Sequence, residues 1–461
     1  MSAARRYAVT VIGAGLTGPL LALLLARKGF LVTLLERRPD PRMAIASGGR
    51  SINLALSARG IRPLERAGVF AEVAPLLLPM RGRMVHDLSG PPVLQLYGQR
   101  PEEINYSIGR AALNRVLVDA AERAGVELRF EQRCIGYDPL AQAARCIDEC
   151  SGREFTLECD TLIAADGAGS PVRASLAAAG VCTVSVEPLD HDYKEMTLPA
   201  APGGMHVLSP DALHIWPRGG FMLIALPNPG GTFTLTLFLP RTGEASFAGL
   251  EDADAQRRFF AEQFPDLAAH HRALLEDFRR NPQGQLATVR TRGWHFGGQV
   301  LLLGDAAHAI VPFHGQGMNA GFEDCAVFDA LLERHRDWAV LYSEFERLRR
   351  PNTDAIAQMA LENYLEMRER VRDPRFQHLK QLAFELEQRF PQQFIPRYSM
   401  VMFHPEISYL EALRRGQIQA SILEQLDRRR SADGSIDPAV AEALLSANLP
   451  RVEPHRDPQT G

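Results

Sequence analysis

Residues 7–36 read YAVTVIGAGLTGPLLALLLARKGFLVTLLE, and the fold turns on this stretch. Tyr7 to Ile12 is a short apolar run of strand length, Leu20 to Lys28 an apolar run of helical length, and Phe30 to Leu35 a second strand-like run. Together they predict a βαβ unit. Between the first strand and the helix sits Gly13-x-Gly15-x-x-Gly18, and Glu36 closes the second strand. In that setting the first glycine permits a tight turn, the second lets a pyrophosphate approach the backbone, and the third allows the helix to pack closely on the strand. Amides at the helix N-terminus would then face the phosphates, and Glu36 would bind a ribose diol. Pro19 directly follows the third glycine, which a helix tolerates only in its first turn, where amides have no intrahelical partner. Alone, the fingerprint fits NAD as well as FAD.

Working outward, the chain of 461 residues has room for two or three domains at roughly 100 to 200 residues each. It is 46% hydrophobic and 23% charged with a formal net charge of −4, so no global field draws it to nucleic acid or to an anionic membrane. Six cysteines (Cys134, Cys146, Cys150, Cys159, Cys182, Cys325) form no C-x-x-C pair, which fits a reducing compartment and predicts neither a disulfide framework nor a metal site. Arg5-Arg6 and the apolar run to Ala26 superficially resemble a secretory signal, but Gly13, Gly15 and Gly18 interrupt it and cleavage would remove the best motif. Apolar runs such as Leu20 to Ala26 and Val300 to Leu303 fall far short of the roughly 20 residues that cross a bilayer. The expectation is a soluble cytoplasmic protein without nucleic-acid or membrane partners.

From about Met80 to Tyr97, and again from about Cys182 to Arg241, the pattern changes to short β-rich pieces between Gly and Pro turns, with alternation at Phe233, Leu235, Leu237 and Leu239. These predict an antiparallel sheet. Asn114 to Gly125 and Gln256 to Arg280 read as helices. Beyond Gly317 the chain is helical in character near 319–334, 339–370, 375–389 and 406–430, with Pro351, Pro374, Pro391 and Pro396 as expected breaks. The expected division is a discontinuous cofactor domain (1–79, 98–181, 290–335), a β-sheet substrate domain (80–97, 182–289), a helical region (336–430) and a flexible tail (431–461).

Two more motifs follow apolar strands. Ala165-Asp166-Gly167-Ala168-Gly169-Ser170, ending in Arg173, follows Thr161 to Ala164, and Leu303-Gly304-Asp305-Ala306-Ala307-His308 follows Val300 to Leu303. With the glycine fingerprint, this ordered trio resembles the FAD-dependent aromatic hydroxylase family over about residues 7–350. The resemblance implies an α/β fold: a glutathione-reductase-type FAD-binding domain with an inserted antiparallel β-sheet substrate domain and a helical C-terminal region. It implies non-covalent FAD, with Asp305 on the ribityl chain, Asp166 where flavin and nicotinamide both pass, and Arg110 also on the cofactor. Only one dinucleotide fingerprint occurs, so NADPH would be a transient co-substrate. Pro312-Phe313-His314-Gly315-Gln316-Gly317-Met318-Asn319 then opens a helix, whose free amides at Gly317, Met318 and Asn319 would face the pyrimidine end of the flavin. His308 and His314 invite a general-base reading, but neither has an evident carboxylate orienter; His314 is expected at most to line the pocket, and no catalytic residue is assigned.

A closer likeness rests on Arg50-Ser51-Ile52-Asn53-Leu54-Ala55-Leu56, Met80-Arg81-Gly82-Arg83-Met84-Val85-His86, Leu213-His214-Ile215-Trp216-Pro217-Arg218-Gly219, Val311 to Asn319, Ala360-Leu361-Glu362-Asn363-Tyr364 and Phe394-Ile395-Pro396-Arg397-Tyr398-Ser399-Met400. Over about residues 7–420 the chain resembles the kynurenine 3-monooxygenases, especially the bacterial ones. This implies hydroxylation of L-kynurenine, a small aromatic amino acid, with NADPH and O2. The carboxylate would sit on Arg83, Tyr97, Asn363 and Tyr398, and the ring against Leu213, Ile224, Leu226, Phe238, Pro312, Phe313, Glu366 and Met367. A fixed guanidinium with phenol and amide donors is the usual partner of a buried carboxylate. Ala111-Ala112 stands where the family pattern leads one to expect a polar pair after Arg110. Two alternatives stay open: a flavin hydroxylase of another aromatic acid, and a non-oxygenating FAD reductase or redox-responsive protein. A homodimer is likewise left open.

Overall fold

The computed structural model describes residues 7–43, 53–370, 373–429 and 436–452. Arg5-Arg6, Arg50 to Ile52 and the end of the chain from 453 lie outside the described residues. A six-stranded sheet runs in the order His295–Phe296, Val300–Leu302, Thr161–Ala164, Ala8–Ile12, Leu31–Leu35, Glu127–Arg129, parallel throughout except at its His295–Phe296 edge. Its central strands are near-continuous runs of Val, Ile, Leu and Ala, as a sheet covered on both faces requires. The helices Thr17–Arg27, Arg110–Arg123 and Gly317–Arg334, together with a three-stranded antiparallel sheet (Gln132–Asp138, Ala143–Asp148, Glu154–Glu158) whose Tyr137, Ala144 and Cys146 join the same core, supply that cover. Pro19 sits in the first turn of the first helix. Ile12 lies level with Ala164, and Ala164 with Leu302. The three motifs therefore leave the C-terminal ends of three neighbouring strands, the edge at which open α/β sheets bind ligands.

A seven-stranded sheet runs Gly284–Arg292, Thr183–Leu198, Phe233–Pro240, Met222–Pro227, Ala212–Pro217, Gly82–Val85, Val93–Leu96. It is antiparallel but for one pair: Ala212–Pro217 lies parallel to Gly82–Val85, with Leu213 level with Arg83. Parallel neighbours need a long crossover, and here the whole segment between the two strands provides it. Phe233, Leu235, Leu237 and Leu239 share one face, buried under the helices Ala253–Gln263 and His271–Arg280. The single helix expected over Gln256 to Arg280 is thus two, separated at Pro265. The opposite face presents Leu213, Ile215, Met222, Leu226 and Phe238 to a separate cluster with Phe313, Tyr364 and Met367.

The C-terminal region is helical: Trp338–Leu365, Pro374–Arg389, Arg397–Met402 and Tyr409–Arg428. Pro351, expected as a break, lies inside Trp338–Leu365. Pro374 instead opens its helix behind the cap Asp373, whose carboxylate accepts the Arg375 amide. The first helix passes into a π-turn at Glu366–Arg370, beside Asn363. The tail expected to be flexible contains a helix, Pro438–Asn448, which buries Ala441 and Leu445 against Leu382, Leu386, Ile422 and Leu426. Among the described residues no helix is long and apolar enough to cross a membrane.

Candidate active site

The glycine loop is shaped by contact on two sides and by open space on the third. Gly13 has φ +100°, and a Cβ there would lie 2.5 Å from the Ala165 carbonyl oxygen. A Cβ on Gly18 would lie 1.9 Å from the Gly13 oxygen, so helix and strand touch at backbone distance. At Gly15 a Cβ would meet nothing within 4 Å: the middle glycine faces the space a pyrophosphate would fill. Glu36 Oε2 accepts the Ala14 amide at 2.8 Å while Oε1 accepts Arg38 Nε at 2.8 Å. Burial works to raise the Glu36 pKa, but Arg38 and the Ala14 amide outweigh it and hold it below the usual range. Its remaining lone pairs stay available to a ribose. Sequence reasoning missed Asn114, which donates to the Ala14 oxygen at 2.9 Å and also to Gly15 O. It lies one turn beyond Arg110 on the same helix face, and that spacing was the available signal.

Asp166 and Asp305 mark the other two motifs. Both Asp166 carboxylate oxygens are buried without a hydrogen-bond partner, and burial pushes the group up to about 6 against the weaker pull of Ser170 and Arg173. An orphaned buried carboxylate at a strand end is a vacancy for a donor. Asp305 touches solvent yet is crowded by protein on its other sides, as on the floor of a cleft; burial raises its carboxyl against the opposing charges of His308 and Arg110. Arg173 ties the motifs together, donating to Ala306 O at 2.8 Å and to Ala168 O. The helix Gly317–Arg334 opens beside them, with the amides of Gly317, Met318 and Asn319 ahead of its first internal bond, Ala320 N to Gln316 O. The Asn319 side chain is committed elsewhere: it accepts the Ser57 amide at 3.0 Å and donates to Ala55 O and Gly315 O, leaving only its amide for a ligand. A cradle with one open glycine, two unmatched carboxyls and a helix N-terminus fits the pyrophosphate, hydroxyl and ring groups of FAD.

The four residues expected at a substrate carboxylate come together from distant segments. Arg83, on the strand Gly82–Val85, is buried, with Nη2 3.5 Å from Asn363 Oδ1. Its guanidinium carbon lies 5.1 Å from the Tyr398 ring centre and 5.9 Å from that of Tyr97, and the two tyrosines stack at 5.3 Å. Asn105 donates to the Tyr398 hydroxyl at 3.2 Å, and Asn363 donates to Phe313 O at 2.6 Å. Glu366, expected against the ring, also faces Arg83 at 3.5 Å. Burial opposes the Arg83 charge, but Tyr398 and Glu366 more than compensate and its pKa is raised. Lys380 was missed: burial and then Arg83 push its ammonium down to about 8, while Glu366 pulls the other way.

Leu213, Leu226, Phe238, Phe313 and Met367 form one buried cluster with Tyr97, and Ile224 and Tyr398 pack against it. Phe313 stacks on Tyr364, another residue not anticipated, at 4.1 Å and contacts Phe238 at 4.8 Å. Pro312 is exposed and stands outside that cluster. His314 stacks on Tyr398 at 5.4 Å, its Nδ1 is buried without a partner, and burial pushes its pKa down to about 3. His308 does have a carboxylate orienter, contrary to expectation: Nε2 lies 2.6 Å from Asp324 Oδ2.

Residues 6–357 match the family described as FAD binding domain. Among solved structures, a tetrameric form of 2-methyl-3-hydroxypyridine-5-carboxylic acid oxygenase superposes with TM-score 0.66 at 20% identity, covering 80% of this chain and 95% of that one. P. aeruginosa PqsL in complex with 2-aminobenzoylacetate gives TM-score 0.64 at 22% identity, covering 81% of this chain and all (100%) of that one. At these identities the likeness speaks for the fold. A kynurenine 3-monooxygenase of Xanthomonas axonopodis pv. citri (strain 306) is 47% identical over 449 residues, covering 97% of this chain and 98% of the relative. That of Myxococcus xanthus (strain DK1622) is 45% identical over 459 residues, covering 99% of each. With an FAD cradle, a buried arginine among tyrosines and relatives this similar from end to end, the chain belongs to the kynurenine 3-monooxygenase family.

Proposed function

We propose that the chain hydroxylates L-kynurenine at the ring carbon next to the amino group: kynurenine, NADPH, a proton and O2 give 3-hydroxykynurenine, NADP+ and water. The observation that carries this reading is the buried Arg83 beside Tyr97, Tyr398 and Asn363, joined to an apolar wall that ends at the flavin-side loop. FAD, when bound, supplies the redox chemistry, taking reducing equivalents from NADPH and delivering one atom of O2 to the substrate.

The residues of the chain hold and exclude. Arg83 pairs with the amino-acid carboxylate, and the two tyrosine hydroxyls and the Asn363 amide provide further hydrogen-bonding groups. Leu213, Leu226, Phe238 and Phe313 exclude water and fix the plane of the ring. The amides of Gly317, Met318 and Asn319 favour negative charge placed before them. His314, depressed to about 3, stays neutral at working pH and carries no proton to donate as an imidazolium. The aniline nitrogen of kynurenine itself activates the neighbouring carbon, so no protein base is needed for attack. We place the activity in the cytoplasm, in keeping with six free thiols.

The test is the mass of the product after incubation with kynurenine, NADPH and air, alongside NADPH consumption across a panel of aromatic acids. A gain of one oxygen on kynurenine is expected. Faster turnover of another aromatic acid, or NADPH oxidation with no hydroxylated product from any of them, would overturn the assignment.

A further inference from the structure

Residues 57–59 touch both halves of the site. The Ser57 amide donates to Asn319 Oδ1 at 3.0 Å, on the helix whose N-terminus faces the flavin position. A Cβ on Gly60 would lie 2.2 Å from that same oxygen, so the helix Ala58–Arg66 rests directly on the flavin-side helix. Arg59 points the other way. It is 1% exposed, its guanidinium lies 4.1 Å over the Tyr409 ring, and it donates to the carbonyls of Ile407 at 2.6 Å, His404 at 3.3 Å, Val401 at 3.4 Å and Met400 at 3.5 Å. Met400 and Val401 are in the last turn of Arg397–Met402, where carbonyls lack intrahelical partners. Tyr398 is in the first turn of that same short helix.

The guanidinium is also the end of a buried ionic chain. Its Nη1 pairs with Glu323 at 2.5 Å, Glu323 also binds Arg349, and Arg349 Nε reaches Asp324 Oδ1 at 2.6 Å. Asp324 Oδ2 accepts the Gly304 amide at 3.1 Å and meets His308 at 2.6 Å. Continuous directional bonds therefore run from the Gly304-Asp305 turn to the helix that carries Tyr398. Beside them Tyr409 donates to Gln316 Oε1 at 2.7 Å. Buried ion pairs add little net stability over apolar packing of the same volume, whereas they do fix geometry.

Resting on the function proposed above, we infer that Arg59 is a positioning residue for the hydroxylation: it sets where Tyr398 stands relative to the flavin-side helix, and so where the substrate carboxylate is held. It touches neither substrate nor flavin. Its effect passes through the C-terminal turn of Arg397–Met402.

Arg59→Met keeps the apolar stem and removes the five donors; Arg59→Lys keeps the charge and loses the fork. Arg59→Met with Glu323→Gln keeps the charge balanced, and serves if the single variant folds poorly. Flavin content, kynurenine KM, kcat and product formed per NADPH are measured, together with hydrogen exchange of amides 400–403 in FAD-free protein. The expected result is flavin retained, exchange at 400–403 at least about 10-fold faster, KM raised about 10-fold and product per NADPH falling below about half, with lysine intermediate. Unchanged exchange in either methionine variant overturns the inference. So does faster exchange with wild-type KM and coupling, which would make Arg59 structural only. If the wild-type chain fails to hydroxylate kynurenine, the functional assignment fails; the exchange result still reports on Arg59, and KM and coupling are then read with the aromatic acid that is turned over.

Discussion

Arg83 reaches Asn363 and Glu366 only at 3.5 Å, near the limit of a hydrogen bond, and also interacts with Tyr97 and Tyr398, a loose set that a bound carboxylate would tighten. Replacing it with alanine removes charge-assisted bonds worth roughly 1.5–3 kcal/mol, on the order of a 10- to 100-fold loss in kcat/KM for kynurenine. Flavin content should be unchanged and peroxide release should rise; Lys should rescue only in part, and steady-state rates with a peroxide assay decide it. Asp166 gives a prediction with a definite sign in pH. Its folded pKa of about 6 stands above the ordinary 3.8, so the stability it contributes is full below about 3.8 and is lost as pH rises through about 6. The loss is about 3 kcal/mol. In FAD-free protein Asp166→Asn should therefore raise Tm at pH 8 by several degrees, with the gain shrinking as pH falls below 6; a gain independent of pH would show that desolvation is not the cause. Residues whose role is dictated by backbone geometry, Gly13 and Gly18, were legible in the sequence, because few other residues fit there. Asn114 and Lys380 were not: an Asn or Lys on a helix is most often a solvated residue, and only the neighbouring loop or charge gives it a task.

At the scale of elements, strong periodicity and apolar runs located the βαβ unit, the sheet face of Phe233 to Leu239 and most helices to within a few residues. Propensity misled where packing overrode it. Pro351 removes one amide bond, yet Phe345, Ile356 and Met359 are buried on either side of it and carry the helix through. The parallel pairing of Ala212–Pro217 with Gly82–Val85 was illegible, since nothing local distinguishes a parallel neighbour from an antiparallel one. The end of the chain was misread from composition, although Asp437 followed by Pro438 is a cap and first-position signature. Leu445 and Leu449 are fully buried in that segment, Arg415 donates to Pro450 O at 3.0 Å, and burying each leucine stabilises by about 1.5–3 kcal/mol. A chain ending at residue 435 should keep its FAD and show faster proteolysis and hydrogen exchange within Pro374–Arg389 and Tyr409–Arg428. Wild-type protection of both helices would mean that the terminal helix is dispensable.

At the scale of the whole molecule, the proposed substrate pocket is assembled from bodies that the chain visits far apart. Arg83 comes from the seven-stranded sheet, Phe313 and His314 from the loop after the third FAD motif, and Asn363 and Tyr398 from the C-terminal helices. A ligand bound among them contacts all three and shifts their mutual arrangement only by the difference in its affinity for each arrangement. An enzyme whose flavin was reduced just as fast without substrate would consume NADPH and release peroxide between turnovers. We therefore predict that kynurenine accelerates flavin reduction by NADPH at least about 10-fold, which requires only about 1.4 kcal/mol of preferential binding to the reducible arrangement. Stopped-flow absorbance of the flavin with saturating NADPH, with and without kynurenine, measures it directly. Arg83→Ala, with kynurenine raised until it is bound, should lose most of the acceleration because one of the three bodies is no longer gripped. Equal rates in the wild type would show that the arrangement is already complete before substrate arrives; full acceleration in the variant would show that the signal bypasses the carboxylate and passes through the ring wall alone.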